Sequence, residues 1–258
     1  MTVPAGARGD DRAATHYDGI ACAELARYVD APALALYAAV GSTMDLAHAW
    51  AADGAPDGAV VLADAQTGGR GRAGRAWASP PGSGVWLTYV ARPRDPAALE
   101  VLALRVGIAL AEALAPLADA PIGVKWPNDL LVGGRKLAGI LVEARWRDGR
   151  PEWAAVGVGV NVRPPVTYEG AAALQPAATR QAALAATVAA VRVAASAGGY
   201  LHPDELAALA ERDVVRGRGV SAPVAGVAVG IGEGGALVVR DTAGALHEVR
   251  QTQVTFAA

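Results

Sequence analysis

The residues best suited to chemistry gather in four segments. The first, Gln66-Thr67-Gly68-Gly69-Arg70-Gly71-Arg72-Ala73-Gly74-Arg75-Ala76-Trp77, interleaves glycine with arginine. Glycine lets a backbone approach a ligand closely. Arginine brings a forked, permanently charged donor matched to phosphate or carboxylate. Ordering such a loop costs much chain entropy, so one reading is closure over a bound anion. The other is a solvated basic linker. Gly69-x-Gly71-x-x-Gly74 formally matches the dinucleotide fingerprint, but Ser79-Pro80-Pro81-Gly82 stands where that fingerprint needs a helix. No Gly-Lys-Ser/Thr follows, which excludes a Walker loop.

The second segment is Lys125-Trp126-Pro127-Asn128-Asp129. Pro127 restricts Trp126 and fixes a turn, after which Asn128 and Asp129 either cap local backbone or face a ligand. In the third, Gly134-Arg135-Lys136-Leu137-Ala138-Gly139-Ile140-Leu141-Val142-Glu143, a charged turn feeds an apolar strand. Lys136 at its entrance either reaches a carboxylate or is an ordinary exposed turn lysine. In the fourth, Val156-Gly157-Val158-Gly159-Val160-Asn161-Val162, a strand puts valines on one face and Gly157, Gly159 and Asn161 on the other. A glycine face in a strand means that something lies against the backbone: a flat ligand or a packed neighbour.

Other chemistries find no footing. His16, His48, His202 and His247 have no metal-ligand spacing, and there is no Gly-x-Ser-x-Gly elbow. The single cysteine, Cys22, permits no internal disulfide and reads as a small buried residue. One thiol fits a reducing cytoplasm. A net charge of −2 argues against a dedicated nucleic-acid binder. The polar N-terminus lacks a signal-peptide core, and the apolar run Ala182 to Val191 is too short to span a bilayer. With 53% hydrophobic and 19% charged residues, 258 residues are enough for one substantial core.

The elements that must hold these segments alternate between strand and helix patterns. Residues 1–19 read as a flexible leader, followed by a helix from Ile20 to Val29 and a strand from Leu34 to Val40. Ser42 is an N-cap opening a helix over Thr43 to Ala52, with Asp53-Gly54 ending it. Strands follow over Ala59 to Ala63 and Val85 to Val90. Pro96 opens a helix to Leu117 with Leu99, Leu102, Val106, Leu110 and Leu114 on one face. A strand over Ile122 to Trp126 precedes a hairpin of Asp129 to Val132 and Leu137 to Glu143 turning at Gly133-Gly134. Trp153 to Val162 is a further strand; Thr179 to Ala197 and Pro203 to Glu211 are helices. After Asp213 the texture becomes short β-runs: Val220 to Pro223, Val224 to Ile231, Ala236 to Asp241 and Leu246 to Thr252. The boundaries therefore fall at 1–19, 20–212 and 213–258, the last a small all-β module of the SH3-like barrel kind. No helix-turn-helix module is expected before Ser42.

Taken in order, Ser42-Thr43, Gln66, Gly69-Arg70-Gly71-Arg72-Ala73-Gly74-Arg75, the Lys125 to Asp129 run, Arg135 to Glu143, and Gly157-Val158-Gly159-Val160-Asn161 resemble the biotin–protein ligase family (biotin–acetyl-CoA-carboxylase ligases). The resemblance runs from about Leu34 to the C-terminus. It implies an α/β (α+β) catalytic domain with a mixed sheet, like that of class II aminoacyl-tRNA synthetases, followed by the SH3-like barrel, in a monofunctional form. It departs at Met44, where the family often has asparagine, and at Ala73, the second position of an Arg-Arg pair whose first arginine, Arg72, is kept.

What the resemblance implies is ATP-dependent attachment of biotin to a lysine of a biotin carboxyl carrier protein through biotinyl-5′-AMP, with Mg2+, in the cytoplasm. It implies no nucleic-acid or membrane partner and leaves a homodimer open. Lys136 and Arg72 would be catalytic. Ser42, Thr43, Met44, Gln66, Gly69, Arg70, Gly71, Arg72, Lys136, Gly157 and Gly159 would bind biotin, the last two leaving room for its bicyclic ring. Arg70, Arg72, Trp77, Asn128, Asp129, Lys136 and Asn161 would bind ATP or the adenylate. A lipoate ligase or octanoyltransferase would share the fold but need a linear acyl tunnel. A non-catalytic sensor and a plain phosphate-binding α/β domain are the remaining alternatives.

Overall fold

The computed structural model describes residues 11–163, 170–250 and 254–256. Short strands β1 (Arg12–Ala13), β2 (His16–Tyr17) and β3 (Ile20–Ala21) lead into helix α1 (Cys22–Tyr28). Then come β4 (Leu34–Ala39), α2 (Thr43–Ala52), β5 (Val60–Ala63), the glycine–arginine loop, β6 (Gly84–Ala91) and α3 (Pro96–Leu114). The strands β7 (Ile122–Lys125), β8 (Asp129–Val132), β9 (Arg135–Arg147) and β10 (Arg150–Asn161) follow, with helices α4 (Arg180–Ser196) and α5 (Pro203–Arg212) behind them. The C-terminal strands are β11 (Gly219–Ala222), β12 (Gly226–Ile231), β13 (Leu237–Arg240), β14 (Leu246–Val249) and β15 (Thr255–Phe256).

Eight strands form one sheet in the order β1-β4-β5-β6-β10-β9-β8-β7. β4 and β5 are parallel, joined by the α2 crossover, and the other pairs are antiparallel, so the sheet is mixed. Its two faces have different covers. Leu36, Val60, Leu62, Leu87, Val156, Val158 and Val160 pack with Leu110 of α3 and Leu184 of α4 in the larger core. Residues of opposite parity, Ala35, Tyr37, Val61, Ala63 and Ala155, pack with Leu46, Ala47 and Trp50 of α2. Each fully buried Leu or Val contributes about 1.5–3 kcal/mol. Helix α2 covers only part of its face, so the glycine side of β10 is left for a cavity.

The second sheet, β14-β13-β12-β11-β15, is antiparallel throughout and built from the β-rich tail. It is held to the larger domain where the Trp126 indole donates to Gly235 O (2.9 Å) and Gly235 packs on Leu104 and Val101 of α3. No helix of the described residues is long and apolar enough to cross a membrane.

Four expectations need amendment. Residues 11–19 do not form a free leader: Arg12 and Ala13 pair with Ala39 and Tyr37, and Tyr17 is buried at 2% exposure. Residues 1–10 of that segment lie outside the described residues. The α-helix from Pro96 stops at Leu114 and tightens into a 3-10 turn over Ala115–Leu117, because Pro116 has no N–H to continue it. β9 and β10 run past Glu143 and start before Trp153, joined at Asp148-Gly149, both with positive φ (51° and 74°). That is the two-residue turn that favours Asp-Gly. β15 was unforeseen, and Gln251 to Gln253, in or beside the last expected run, lie outside the described residues.

Candidate active site

The floor of the cavity is the odd-numbered face of β10. Gly159 pairs with Gly139 on β9 and Trp86 on β6; Gly157 pairs with Leu141 and Thr88. The space over these glycines is filled by the chain itself. A Cβ on Gly159 would stand 2.5 Å from the Trp77 indole, and one on Gly157 would stand 2.7 Å from the Met44 methyl. A Cβ on Gly139 would come within 3.0 Å of Trp77 and 3.2 Å of Lys136 Cε. Of the two occupants expected for the glycine face, a flat ligand or a packed neighbour, the structure puts a neighbour at Gly159, an indole from the glycine–arginine loop. That indole meets Trp86 edge-on at 6.2 Å, and its Nε1 is buried without a partner among the described residues.

One end wall is polar and preset by α2. Ser42 caps the helix, accepting from Met44 N at 3.3 Å. Thr43 gives both its N–H (2.9 Å) and its hydroxyl (3.1 Å) to Gln66 Oε1. Because Thr43 Oγ1 has one proton and spends it on Gln66, the 2.9 Å contact with Thr88 Oγ1 has Thr88 donating. Gln66 Nε2 donates to Ser79 Oγ at 2.8 Å. Ser42, Thr43, Thr88 and Ser79 are all buried, so this chain of hydroxyls and one amide is fixed before any ligand arrives.

The other wall is cationic. Lys136 Nζ lies 2.7 Å from Asp129 Oδ1 and 5.0 Å from the centre of the Trp77 ring. Asn128 closes the turn after the cis Trp126–Pro127 peptide: its Nδ2 donates to Ile140 O (2.7 Å), and its carbonyl accepts from Ile140 N (3.0 Å). Asn161 Nδ2 donates to Lys136 O at 3.2 Å. Asn128 both caps backbone and lines the cavity, and Asp129 faces Lys136 within it. Across from them, Arg72 Nη1 reaches Asn128 Oδ1 at 3.5 Å. Burial pushes the Arg72 guanidinium below its ordinary value, with Asp129 opposing the shift; it still carries its charge at neutral pH. Lys136 is one of two lysines in the chain, the other being Lys125.

Arg70 is tied elsewhere. Its Nη2 lies 2.7 Å from Asp45 on α2 and 3.9 Å from Glu143 on β9. Glu143 also meets His48 Nε2 at 3.1 Å, while the Trp153 indole donates to His48 Nδ1 at 3.0 Å. An indole only donates, so Nδ1 is the acceptor and Nε2 carries the proton toward Glu143. Arg70 therefore fastens the front of the loop to the rim.

These walls enclose a cavity of about 610 Å3, and every residue expected at the site lines it, from Ser42 through the loop to Asn161. Sequence reasoning missed Thr88, Gly139, Leu141 and Arg75. Thr88 had a signal, being the one aliphatic hydroxyl in the apolar run Val85 to Val90. Gly139 had none of its own, since only strand register reveals it as the partner of Gly159. The loop runs into a strand, β6, not a helix, in line with the rejected dinucleotide reading.

Fold and cavity together define an α/β protein with a mixed sheet and a cationic cleft over a glycine floor. Residues 36–161 match the model of the biotin/lipoate A/B protein ligase family. That stretch, just under half of the chain, is a domain of that family. Among curated proteins, it is 42% identical over 135 residues to the biotin–acetyl-CoA-carboxylase ligase of Mycobacterium tuberculosis, covering 50% of this chain and 49% of that protein. It is 38% identical over 124 residues to the bifunctional ligase/repressor BirA of Bacillus spizizenii, covering 48% of this chain and 38% of that one. The matched stretches thus span half or less of these relatives' length. Among solved structures, the biotin protein ligase from Aquifex aeolicus in complex with biotin and ATP superposes with a TM-score of 0.70 at 22% identity, over 88% of this chain and 99% of that one. That likeness establishes the fold.

Proposed function

We propose that the protein is a biotin–protein ligase that joins biotin to a carrier lysine at the expense of ATP. The observation that carries this reading is the pairing, in one cavity, of a preset hydroxyl–amide wall with Lys136 and Arg72 over a glycine floor. A cyclic urea needs donors and acceptors in fixed positions, which Ser42, Thr43 and Gln66 supply. A carboxylate beside a phosphate needs cations, which Lys136 and Arg72 supply.

The biotin carboxylate oxygen attacks the α-phosphorus of ATP, and pyrophosphate leaves with the P–O electron pair. Charge gathers around that phosphorus, and fixed cations in a water-poor cleft stabilise it. The carrier's neutral lysine amine then attacks the carbonyl of the mixed anhydride. The C–O bond breaks, AMP departs with its electron pair, and the amine's proton goes to solvent. Asp129 is the one carboxylate lining the cavity among the described residues, and Lys136 already holds its Oδ1. A magnesium ion would be held there by the nucleotide's phosphates, with Asp129 as the cavity's carboxylate beside them, and would offset phosphate charge. Trp77, Arg70 and Arg72 make the loop a cover that keeps water from the anhydride.

We read the C-terminal five-stranded antiparallel sheet as the SH3-like module, and a biotin carboxyl carrier protein as the acceptor. Incubation with ATP, magnesium, biotin and a carrier domain tests the whole reading: intact mass should show one biotin added to the carrier. Pyrophosphate release should follow biotin and not lipoate or octanoate. Release driven by lipoate or octanoate alone would move the assignment to the acyl branch of the family.

A further inference from the structure

The only cation in the first turn of α4 is placed against both helix and solvent physics. Arg180 is the first residue of α4, where a positive charge opposes the macrodipole, and its side chain is 5% exposed. Two carboxylates compensate. Nε and Nη2 grip Asp18 Oδ2 (2.9 Å) and Oδ1, while Nη1 grips Asp64 Oδ1. The guanidinium also lies 4.2 Å from the centre of the Tyr17 ring.

What these groups hold is the base of the glycine–arginine loop. Asp64 directly follows β5, where the chain leaves for the loop, and its Oδ1 also accepts from Gly82 N (3.0 Å) where the chain returns. Tyr17 donates its hydroxyl to Gly84 O (3.2 Å), the first residue of β6. The outgoing and returning stems are therefore joined through one carboxylate, and that carboxylate is held by Arg180.

We propose that Arg180 is a positioning residue for the glycine–arginine loop, acting through Asp64 and Tyr17 to clamp both of its stems so that the loop can retain the reactive acyl-adenylate. This rests on the proposed ligase reading for its chemistry, though not for its mechanics. Asp18 provides the contrast: its bonds run to Arg180 and Gln181 of α4, whereas Asp64 also bonds Gly82 of the loop stem.

Two readouts test it on the full chain: free biotinyl-adenylate in the filtrate under biotin, ATP and magnesium, and the rate of tryptic cleavage after Arg70, Arg72 and Arg75 without ligand. Losing a charge-assisted tie is worth about a tenfold change. D64A and R180Q should each raise both readouts by about that factor, D64N should keep part of the retention because its amide oxygen still accepts from Gly82 while the charge-assisted tie to Arg180 is lost, and D18A should raise them least because Asp64 keeps its own bonds to Arg180 and Gly82. The proposal fails if folded D64A shows wild-type leakage and cleavage, or if D18A matches D64A in both. Should D64A not fold, Y17F decides: it removes only the bond to Gly84 O, and unchanged loop cleavage overturns the clamp. If the wild type forms no adenylate, the ligase reading fails while the cleavage rates still judge the clamp.

Discussion

The two walls of the cleft are built differently. The wall from β8, β9 and β10 is locked by backbone: Asn128 and Ile140 exchange two hydrogen bonds, Asn161 holds the Lys136 carbonyl, and Asp129 meets Lys136 at 2.7 Å. The loop wall touches it through thin contacts, the 3.5 Å approach of Arg72 to Asn128 and the Trp77 ring resting on Gly159. The lesson is a division of labour. The strand wall sets the geometry of charge stabilisation in advance, and the loop wall governs what stays in the cleft.

Lys136→Ala breaks the strand wall and should have the largest effect. Biotin-dependent pyrophosphate release should fall by about a thousandfold, the scale of removing a preorganised charge partner. Wild-type-like release would end the claim that this wall does the chemistry. Gly159→Ala strikes where the walls meet. Its Cβ would sit 2.5 Å from the indole, so Trp77 must leave its seat. Overpacking of about 1–3 kcal/mol should appear as a tenfold to hundredfold higher biotin KM, with Trp77 emission shifted to the red. An unchanged KM would mean that the seat is irrelevant to binding. Arg72→Gly should separate the walls: free adenylate should escape about tenfold faster while the pyrophosphate burst falls less. An unaltered escape rate would show that Arg72 belongs with the strand wall. The mildest change is Thr88→Val, which removes the donor to Thr43 and should raise biotin KM by about fivefold, a loss near 1 kcal/mol. Thermal melting should stay close to wild type; an unchanged KM would remove Thr88 from the binding wall.

The sequence was most legible where local chemistry decides local structure. Ser42 before an apolar-periodic run specifies α2 to the residue, and the alternation Val-Gly-Val-Gly-Val-Asn tells which face of β10 is core. Loop residues were legible as a set because glycine and arginine together ask for an anion. What escaped depended on distant pairing. Tyr17 and Asp18 looked like a polar leader because their partners, Gly84 and Arg180, lie 67 and 162 residues away. The same holds for the His48–Glu143 contact, 95 residues apart, which no spacing rule anticipates. The glycine face of β10 was legible as a place where a flat ligand or a packed neighbour lies, and the pattern alone does not say which; Trp77 and Met44 lie there.

The scarcity of lysine has an experimental use. With side-chain amines only at 125 and 136, the surface cations are guanidinium groups, which acylating reagents leave alone near neutral pH. An activated ester offered to this protein has few side-chain amines to modify: Lys136 in the cleft, and Lys125 at the end of β7, which is not part of the cavity lining. Competition between such an ester and substrates becomes a direct gauge of occupancy, with little background from the rest of the molecule.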